Sequence, residues 1–287
     1  MTITKSVSQK LTSEQLASAY KVACMGELQA LKPGNVHIFS DGHGMTIHDF
    51  IKSAEASAAA IAQPNLSIGE RIYYAVEATQ KAVGLNTNLG VILLCAPLIH
   101  AALHADETLT FQQNLSHSLS QLTIQDAVFT ANAILLANPA GLGNASQHDV
   151  NNEPTVTLLE MMRVAQDKDR IARQYANAYQ DIIQFGLQRY HFAITRWQNQ
   201  TWATTALYLG FLTHYLDTHI VRKYGEIVAS DVMAEAHAFE SIFLAADNPK
   251  LVQKKLLDWD ASLKQRNINP GTSADLTVAT LLVSHIV

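Results

Sequence analysis

From Leu89 to Leu103 the chain carries an almost unbroken apolar run, Leu-Gly-Val-Ile-Leu-Leu-Cys-Ala-Pro-Leu-Ile-His-Ala-Ala-Leu, in which His100 is the lone polar side chain. A segment apolar on every side has to be buried, so the rest of the chain must surround it. On composition alone, Val91 to Ile99 suits a buried strand. The continuation through Ala101-Ala102-Leu103 favours a buried helix instead, kinked at Pro97. The run is too short and too interrupted to span a membrane.

Helical signals also dominate elsewhere, and alternating strand patterns are almost absent. Thr12-Ser13-Glu14-Gln15 reads as the cap of a helix running to about Leu31, which Pro33-Gly34 ends. Thr46 opens a second helix, alanine-rich between Ser53 and Ile61. Ile68 to Val83 and Thr123 to Ala137 read as helices, and Asn138-Pro139-Ala140-Gly141-Leu142-Gly143-Asn144 is a breaker cluster. Beyond it the pattern predicts one long helix from Thr155 to about Tyr190, then Thr201–Asp217, Glu226–Ala246, Lys250–Gln265 and Ser273–Val287. The expectation is an all-α single domain over 1–287, a multi-helix bundle with its site at loops joining helix ends.

The chain is 48% hydrophobic and 16% charged, which argues for a large core and against disorder. A formal charge of −5 and a pI near 6.2 exclude a broad nucleic-acid surface, which needs a basic stripe. The first residues show no apolar run of signal-peptide length, so a cytoplasmic protein without membrane attachment is expected. Cys24 and Cys95 both sit in apolar helical contexts and read as buried core thiols.

Polar chemistry gathers in short segments beside glycine or proline. In Lys32-Pro33-Gly34-Asn35-Val36-His37 an ammonium stands beside a sharp turn, suited to a phosphate or simply to a helix stop with a solvated lysine. Glu27, about one turn earlier in an apolar helix, suits a metal ligand, a base or the partner of a nearby cation. His37, Asp41, His43 and His48-Asp49 carry metal-ligand chemistry, although their spacing matches no structural zinc pattern and a surface-loop histidine is the better account of at least one of them. Asn86-Thr87-Asn88-Leu89-Gly90 offers a helix cap with more polar groups than a cap needs. Asp217-Thr218-His219 and Arg222-Lys223-Tyr224-Gly225 place a carboxylate and two cations at a helix end, suited to a polyphosphate. Pro270-Gly271-Thr272-Ser273-Ala274-Asp275 reads as a glycine turn, a cap and a carboxylate in the first helical turn, where phosphate or metal can approach. The apolar Thr204–Tyr215 segment suits either core or a subunit interface, which leaves a homo-oligomer open.

In this order the segments resemble the triphosphoribosyl-dephospho-coenzyme A synthase family. The family pattern is a glutamate before Lys-Pro-Gly, then Asn-Thr-(Asn/His)-x-Gly, an Asp-Thr segment with Arg and Gly, and Pro-Gly-x-Ser-Ala-Asp-Leu. Here these are Glu27 with Lys32-Pro33-Gly34, then Asn86 to Gly90, then Asp217-Thr218 with Arg222 and Gly225, and finally Pro270 to Leu276. Synthases of the citrate lyase type tend to carry Gly-Leu-Val-Asp after Lys-Pro and His-(Lys/Arg)-Gly after Asn-Thr. This chain has His37 and Leu89 at the corresponding places, which looks like a divergent branch akin to archaeal and one-carbon-metabolism relatives.

The resemblance implies transfer of the triphosphoribosyl group of ATP to a ribose hydroxyl of 3′-dephospho-CoA or a related acceptor, with adenine released. It implies Mg²⁺ as cofactor and small-molecule partners only. It implies Glu27, Asp217 and Asp275 as base or metal ligands, and Lys32, Arg222 and Lys223 as phosphate contacts. Asn86, Thr87 and Asn88 would meet ribose or phosphate oxygens, with Gly34, Gly90, Gly271 and Ser273 in the nucleotide-binding turns. His37, Asp41 and His43 would shape an acceptor or metal site. The alternatives are a His-Asp-type metal-dependent phosphohydrolase built on His48-Asp49 or His148-Asp149, a non-catalytic nucleotide- or pterin-binding protein, and a ribosyl transferase for another acceptor.

Overall fold

The computed structural model describes residues 10–139 and 152–287, and among them every regular element is a helix. The strand-like features there are two isolated bridges, His37 to Ser40 and Gly42 to Met45. In chain order the α-helices are α1 Ser13–Gln29, α2 Ile47–Ile61, α3 Ile68–Val83, α4 Leu89–Leu103, α5 Phe111–Ser120, α6 Ile124–Ala137, α7 Leu158–Ala165, α8 Arg170–Ala176, α9 Leu187–Trp197, α10 Gln200–His214, α11 Thr218–Ala245, α12 Gln253–Gln265 and α13 Gly271–Ile286. The all-α expectation holds. No described helix is long and apolar enough to cross a membrane.

Local chemistry sets many of the starts. Thr12 and Gln15 exchange capping bonds ahead of α1, and Ser67 with Glu70 does the same for α3. Thr110 with Gln113 opens α5, a helix the sequence reading passes over. The long helix expected from Thr155 to Tyr190 is instead broken. The α7 segment ends at Ala165, and Asp169 caps a new helix by accepting the N–H groups of Ile171 (2.8 Å) and Ala172 (3.1 Å). Ala178 and Tyr179 then take positive φ, and a π-helical turn at Asp181–Gly186 leads into α9. Burial is the reason, because the break lets both Tyr175 and Tyr179 enter the core.

The described chain divides into two compact units, one comprising residues 1–22, 52–180 and 282–287, the other residues 23–51 and 181–281. Boundaries fall inside α1, α2 and α13, so no linker separates the units in sequence. In the first unit α4 is the buried helix, with Val91 to Ile99 all excluded from solvent. Pro97 has no N–H, so the carbonyl four residues earlier, Leu93 O, loses its helical donor. The buried Tyr175 hydroxyl supplies one at 2.6 Å, and Tyr179 donates to Leu94 O at 3.0 Å. In the same unit Arg71 is fully buried and donates to the carbonyls of Ile61, Gln63 and Leu66, closing the turn between α2 and α3.

The second unit is built on α10, whose residues Ala203 to Thr213 are all buried, packed against α9 and α11. Its apolar stretch is therefore core. Cys24 and Cys95 are both buried and in no disulfide, as expected.

Replacing Tyr175 with Phe strands Leu93 O and should lower stability by about 1–3 kcal/mol in urea denaturation. Adding Pro97→Ala to that variant returns an N–H to the helix and should recover part of the loss. A Tyr175→Phe protein with the wild-type midpoint would show that the kinked carbonyl does not need its tyrosine.

Candidate active site

The Lys-Pro-Gly, Asp217 and Pro270 segments all lie in the second unit. The turn after α1 is held tightly. Gly34 sits at φ +85°, and a Cβ there would lie 2.8 Å from Pro270 Cδ and 3.1 Å from Ile268 O. Both the left-handed backbone and the close approach therefore require glycine. Successive backbone groups of the turn are each tied to a side chain from elsewhere. The Tyr208 hydroxyl donates to Pro33 O (2.7 Å), Gly34 N–H donates to Asp260 Oδ1 (2.8 Å), and His43 Nε2 donates to Gly34 O (2.7 Å).

Lys32 is not the solvated lysine of a plain helix stop. It is 0% exposed, and its ammonium donates to Glu27 Oε1 and to Asn35 Oδ1 (2.8 Å). Asn35 in turn donates to Asn269 Oδ1 at 2.7 Å, carrying the network to the Pro270 segment. Burial pushes the Glu27 carboxyl up against the attraction of Lys32, and pushes the Lys32 ammonium down against that of Glu27. The half-buried Asp275 adds its negative field at Lys32.

Asp217 caps two helices with one carboxylate. Its Oδ1 accepts the N–H groups of His219 (3.0 Å) and Ile220 (3.2 Å) at the start of α11. Its Oδ2 accepts the N–H and the hydroxyl of Ser273, both at 2.8 Å, in the first turn of α13. Burial pushes its carboxyl up and these donors pull it down. Backbone N–H groups can only donate, so the arrangement is satisfied by the ionised form. The roughly four lone-pair positions of a carboxylate are thereby used. Asp217, expected as a base or metal ligand, here ties helix starts together.

The α13 helix begins at Gly271, earlier than the Ser273 start read from the sequence, so Asp275 falls in its second turn. A Cβ on Gly271 would lie 3.0 Å from His219 Nδ1, and the Thr218 and Thr272 hydroxyls meet at 3.1 Å. Arg222 and Lys223 are exposed, Arg222 with Nη2 3.5 Å from His219 Nδ1 and Lys223 over the Tyr224 ring. Gly225, at φ 84° and ψ 170°, breaks α11 just after them in a backbone region that essentially only glycine visits.

His37, Asp41 and His43 do not form a metal set, and among the described residues no group of three or more His, Cys, Asp or Glu is disposed to hold one. His37 is 1% exposed; its Nδ1 accepts Phe39 N–H at 3.3 Å, which leaves Nε2 carrying the proton, 3.3 Å from Asp260 Oδ1. That second contact lacks hydrogen-bond alignment and is an electrostatic one. His43 spends Nε2 on Gly34 O, and the exposed Asp41 accepts Ile47 N–H at 2.8 Å. Burial lowers both His37 and His43, favouring neutral rings.

Sequence reading missed Asp260 and Lys264. They are spaced i,i+4 on α12, joined at 3.0 Å, and Lys264 also donates to Ser40 O at 3.1 Å. The signal was present in Asp258-Trp259-Asp260-Ala261-Ser262-Leu263-Lys264, a carboxylate and a lysine one turn apart just before Pro270.

Asn86 to Gly90 lie in the first unit. There Asn86 Oδ1 accepts Leu89 N–H (3.3 Å), Thr87 bonds the Ser53 hydroxyl (2.5 Å), and Asn88 donates to Ser57 Oγ (3.3 Å). Only Asn86 serves as a cap. The polar surplus of Thr87 and Asn88 is directed to the buried serines of α2. For the phosphohydrolase alternative, Asp49 binds the Thr46 N–H and hydroxyl, both at 2.8 Å, as a helix cap, and His48 is exposed. His148-Asp149 lies outside the described residues.

A family model described as CitG, ATP:dephospho-CoA triphosphoribosyl transferase, matches residues 13–287. The chain belongs to this family. It is accordingly a transferase, and the phosphohydrolase and non-catalytic readings fall away. A solved structure from Archaeoglobus fulgidus, provisionally assigned as a triphosphoribosyl-dephospho-CoA synthase, shares the fold at a TM-score of 0.63 and 21% identity. The match covers 81% of this chain and 97% of that one. A search of curated proteins returned no match.

Removing one partner of a buried ion pair leaves the other uncompensated, at about 3–5 kcal/mol. Glu27→Gln should therefore destabilise the protein by about that amount, less whatever deprotonation of Lys32 relieves. The double variant Glu27→Gln with Lys32→Met should be more stable than Glu27→Gln alone in urea denaturation. If Glu27→Gln is neutral, the pair is not a buried charge pair.

Proposed function

We propose that this enzyme joins C1′ of the ATP ribose to a ribose hydroxyl of 3′-dephospho-CoA and releases adenine, using a site centred on the Lys-Pro-Gly turn of the second unit. The observation that carries the proposal is the meeting of three segments remote in sequence. The Gly34 turn lies against Pro270, Asn35 bonds Asn269, and Asp217 bonds Ser273. Carboxylates and cations are gathered there as a triphosphate and a developing ring cation require.

The reaction breaks the C1′–N9 bond and forms C1′–O, while the triphosphate stays on the transferred ribose. The acceptor hydroxyl gives up a proton and the departing adenine gains one. A transition state at a glycosidic carbon is oxocarbenium-like, so a carboxylate beside C1′ lowers its energy. Asp275 suits that role and the role of base, being half-buried in the second turn of α13 with its negative field felt at Lys32. Glu27 holds Lys32 charged and in place. The third N–H of Lys32 would meet a phosphate oxygen, and the exposed Arg222 and Lys223 would take others. For Asn86, Thr87, Asn88 and Gly90 a role at ribose or phosphate oxygens rests on the resemblance alone.

Mg²⁺ keeps several waters and is commonly bound by one or two carboxylates plus substrate phosphates, so a preformed cage is not needed. The donor set fits that pattern: Glu27, whose Oε1 is the oxygen that Lys32 meets, would hold the ion beside the phosphates. Bound there, Mg²⁺ would neutralise part of the triphosphate charge.

The test is incubation with ATP, Mg²⁺ and dephospho-CoA, following free adenine by chromatography and the product by mass. Wild-type enzyme should release one adenine per product formed. Asp275→Asn should retain its circular dichroism spectrum and lose at least about 100-fold in rate, the usual scale for a general base. Adenine release only with a different hydroxyl acceptor would move the acceptor assignment; wild-type turnover in Asp275→Asn would remove Asp275 from the chemistry.

A further inference from the structure

We infer that Asp260 is a positioning residue for this reaction, setting the Lys-Pro-Gly turn so that Lys32 meets the substrate's phosphates; the inference rests on the site assignment just given. Asp260 is 2% exposed and lies on α12, outside every segment that carries the family resemblance. Its carboxylate meets three groups. Oδ1 accepts Gly34 N–H at 2.8 Å and faces His37 Nε2 at 3.3 Å, and Oδ2 accepts from the Lys264 ammonium at 3.0 Å.

A helix that only needed to stop would not require these bonds. Gly34 at φ +85° already ends it, and Asn35 N–H already closes the turn on Lys32 O at 3.0 Å. Yet consecutive backbone groups of the turn are fixed from separate elements: Pro33 O by Tyr208 of α10, Gly34 N–H by Asp260 of α12, and Gly34 O by His43. A contact of 2.8 Å between Pro270 and the place of a Gly34 Cβ leaves the turn no slack toward α13. Under that constraint, the direction in which Lys32 and Asn35 project is decided by what pulls Gly34 N–H, and Asp260 is the group that pulls it.

Lys264 has a defined part in this. It lies across the Asp260 carboxylate from Gly34 and also donates to Ser40 O, so it anchors Asp260 and the loop following the turn together. Burial pushes the Asp260 carboxyl up, but His37, Gly34 N–H and Lys264 hold it below the ordinary carboxylate range, so it stays charged.

The experiment compares wild type, Asp260→Ala, Asp260→Asn and Tyr208→Phe. Adenine release is measured at varied ATP with saturating dephospho-CoA, rates are expressed per folded molecule, and MgATP affinity is measured by calorimetry. Displacing a positioned group by about 1 Å costs on the order of 100-fold. Asp260→Ala should thus lose about 100-fold in kcat/KM with weakened MgATP binding, per folded molecule. Asp260→Asn keeps an acceptor for Gly34 N–H and should recover at least tenfold of that loss. Tyr208→Phe, which loosens the same turn from another helix, should shift the same parameters in the same direction.

A purely structural Asp260 would instead reduce the folded fraction and leave kcat, KM and MgATP affinity of the folded molecules at wild-type values. That result in Asp260→Asn or Asp260→Ala overturns the inference. If wild type releases no adenine from any acceptor, the site assignment fails; unchanged MgATP affinity across the Asp260 variants would then overturn positioning separately, and weakened affinity would support it.

Discussion

The second unit depends on one close approach: backbone at Gly34 against the ring of Pro270, too near for any side chain at residue 34. Because no Cβ intervenes, the end of α1 and the start of α13 come close enough for Asn35 to bond Asn269. Around that approach the acceptors and donors of the turn are taken up by Tyr208, Asp260 and His43. A bulkier residue would separate the segments and break several bonds together. The arrangement is therefore all-or-none, as suits a site that has to meet a polyanion with its charges already fixed.

Fixing those charges is costly. Lys32 and Glu27 are both buried, and desolvation opposes the charge of each. A pair of apolar residues would serve stability equally well or better. An ion pair retained in such a place makes sense if the lysine's charge is needed when substrate arrives. Asp217 shows the opposite use of a buried carboxylate: its charge is consumed by two helix N-termini, whose partial positive ends favour an anion.

How far the sequence could be read follows from the range of the interactions. The start of α1 at Thr12 and Gln15 was legible because a capping box is local, although the same kind of box at Thr110 and Gln113 was passed over. The buried Leu89–Leu103 helix was legible because its composition leaves no alternative surroundings. The breaks after Ala165 and at Tyr179 were not, since they answer the demand of Pro97 and of core space about eighty residues away in the chain, at Leu93 and Leu94. In the site, glycine and proline marked the turns correctly, but nothing local says that Lys32 is buried or that Asp217 serves α13 as well as α11. Asp260 escaped for the same reason: its partner Gly34 is 226 residues distant.

The bonds that the motif carboxylates make bear on the proposed chemistry. Of the carboxylates the motifs supply, Asp217 has its lone pairs committed to donors that cannot leave without unravelling a helix start, and Glu27 faces the ammonium of Lys32. In the proposed mechanism, proton transfer by either would first have to break those bonds. Asp275 stands in the second turn of a helix whose start is already satisfied by Asp217, so a change in its protonation does not unmake α13. In the proposed mechanism that division of labour gives Asp217 the capping of two helices, Glu27 the pairing of Lys32, and Asp275 the proton of the acceptor hydroxyl.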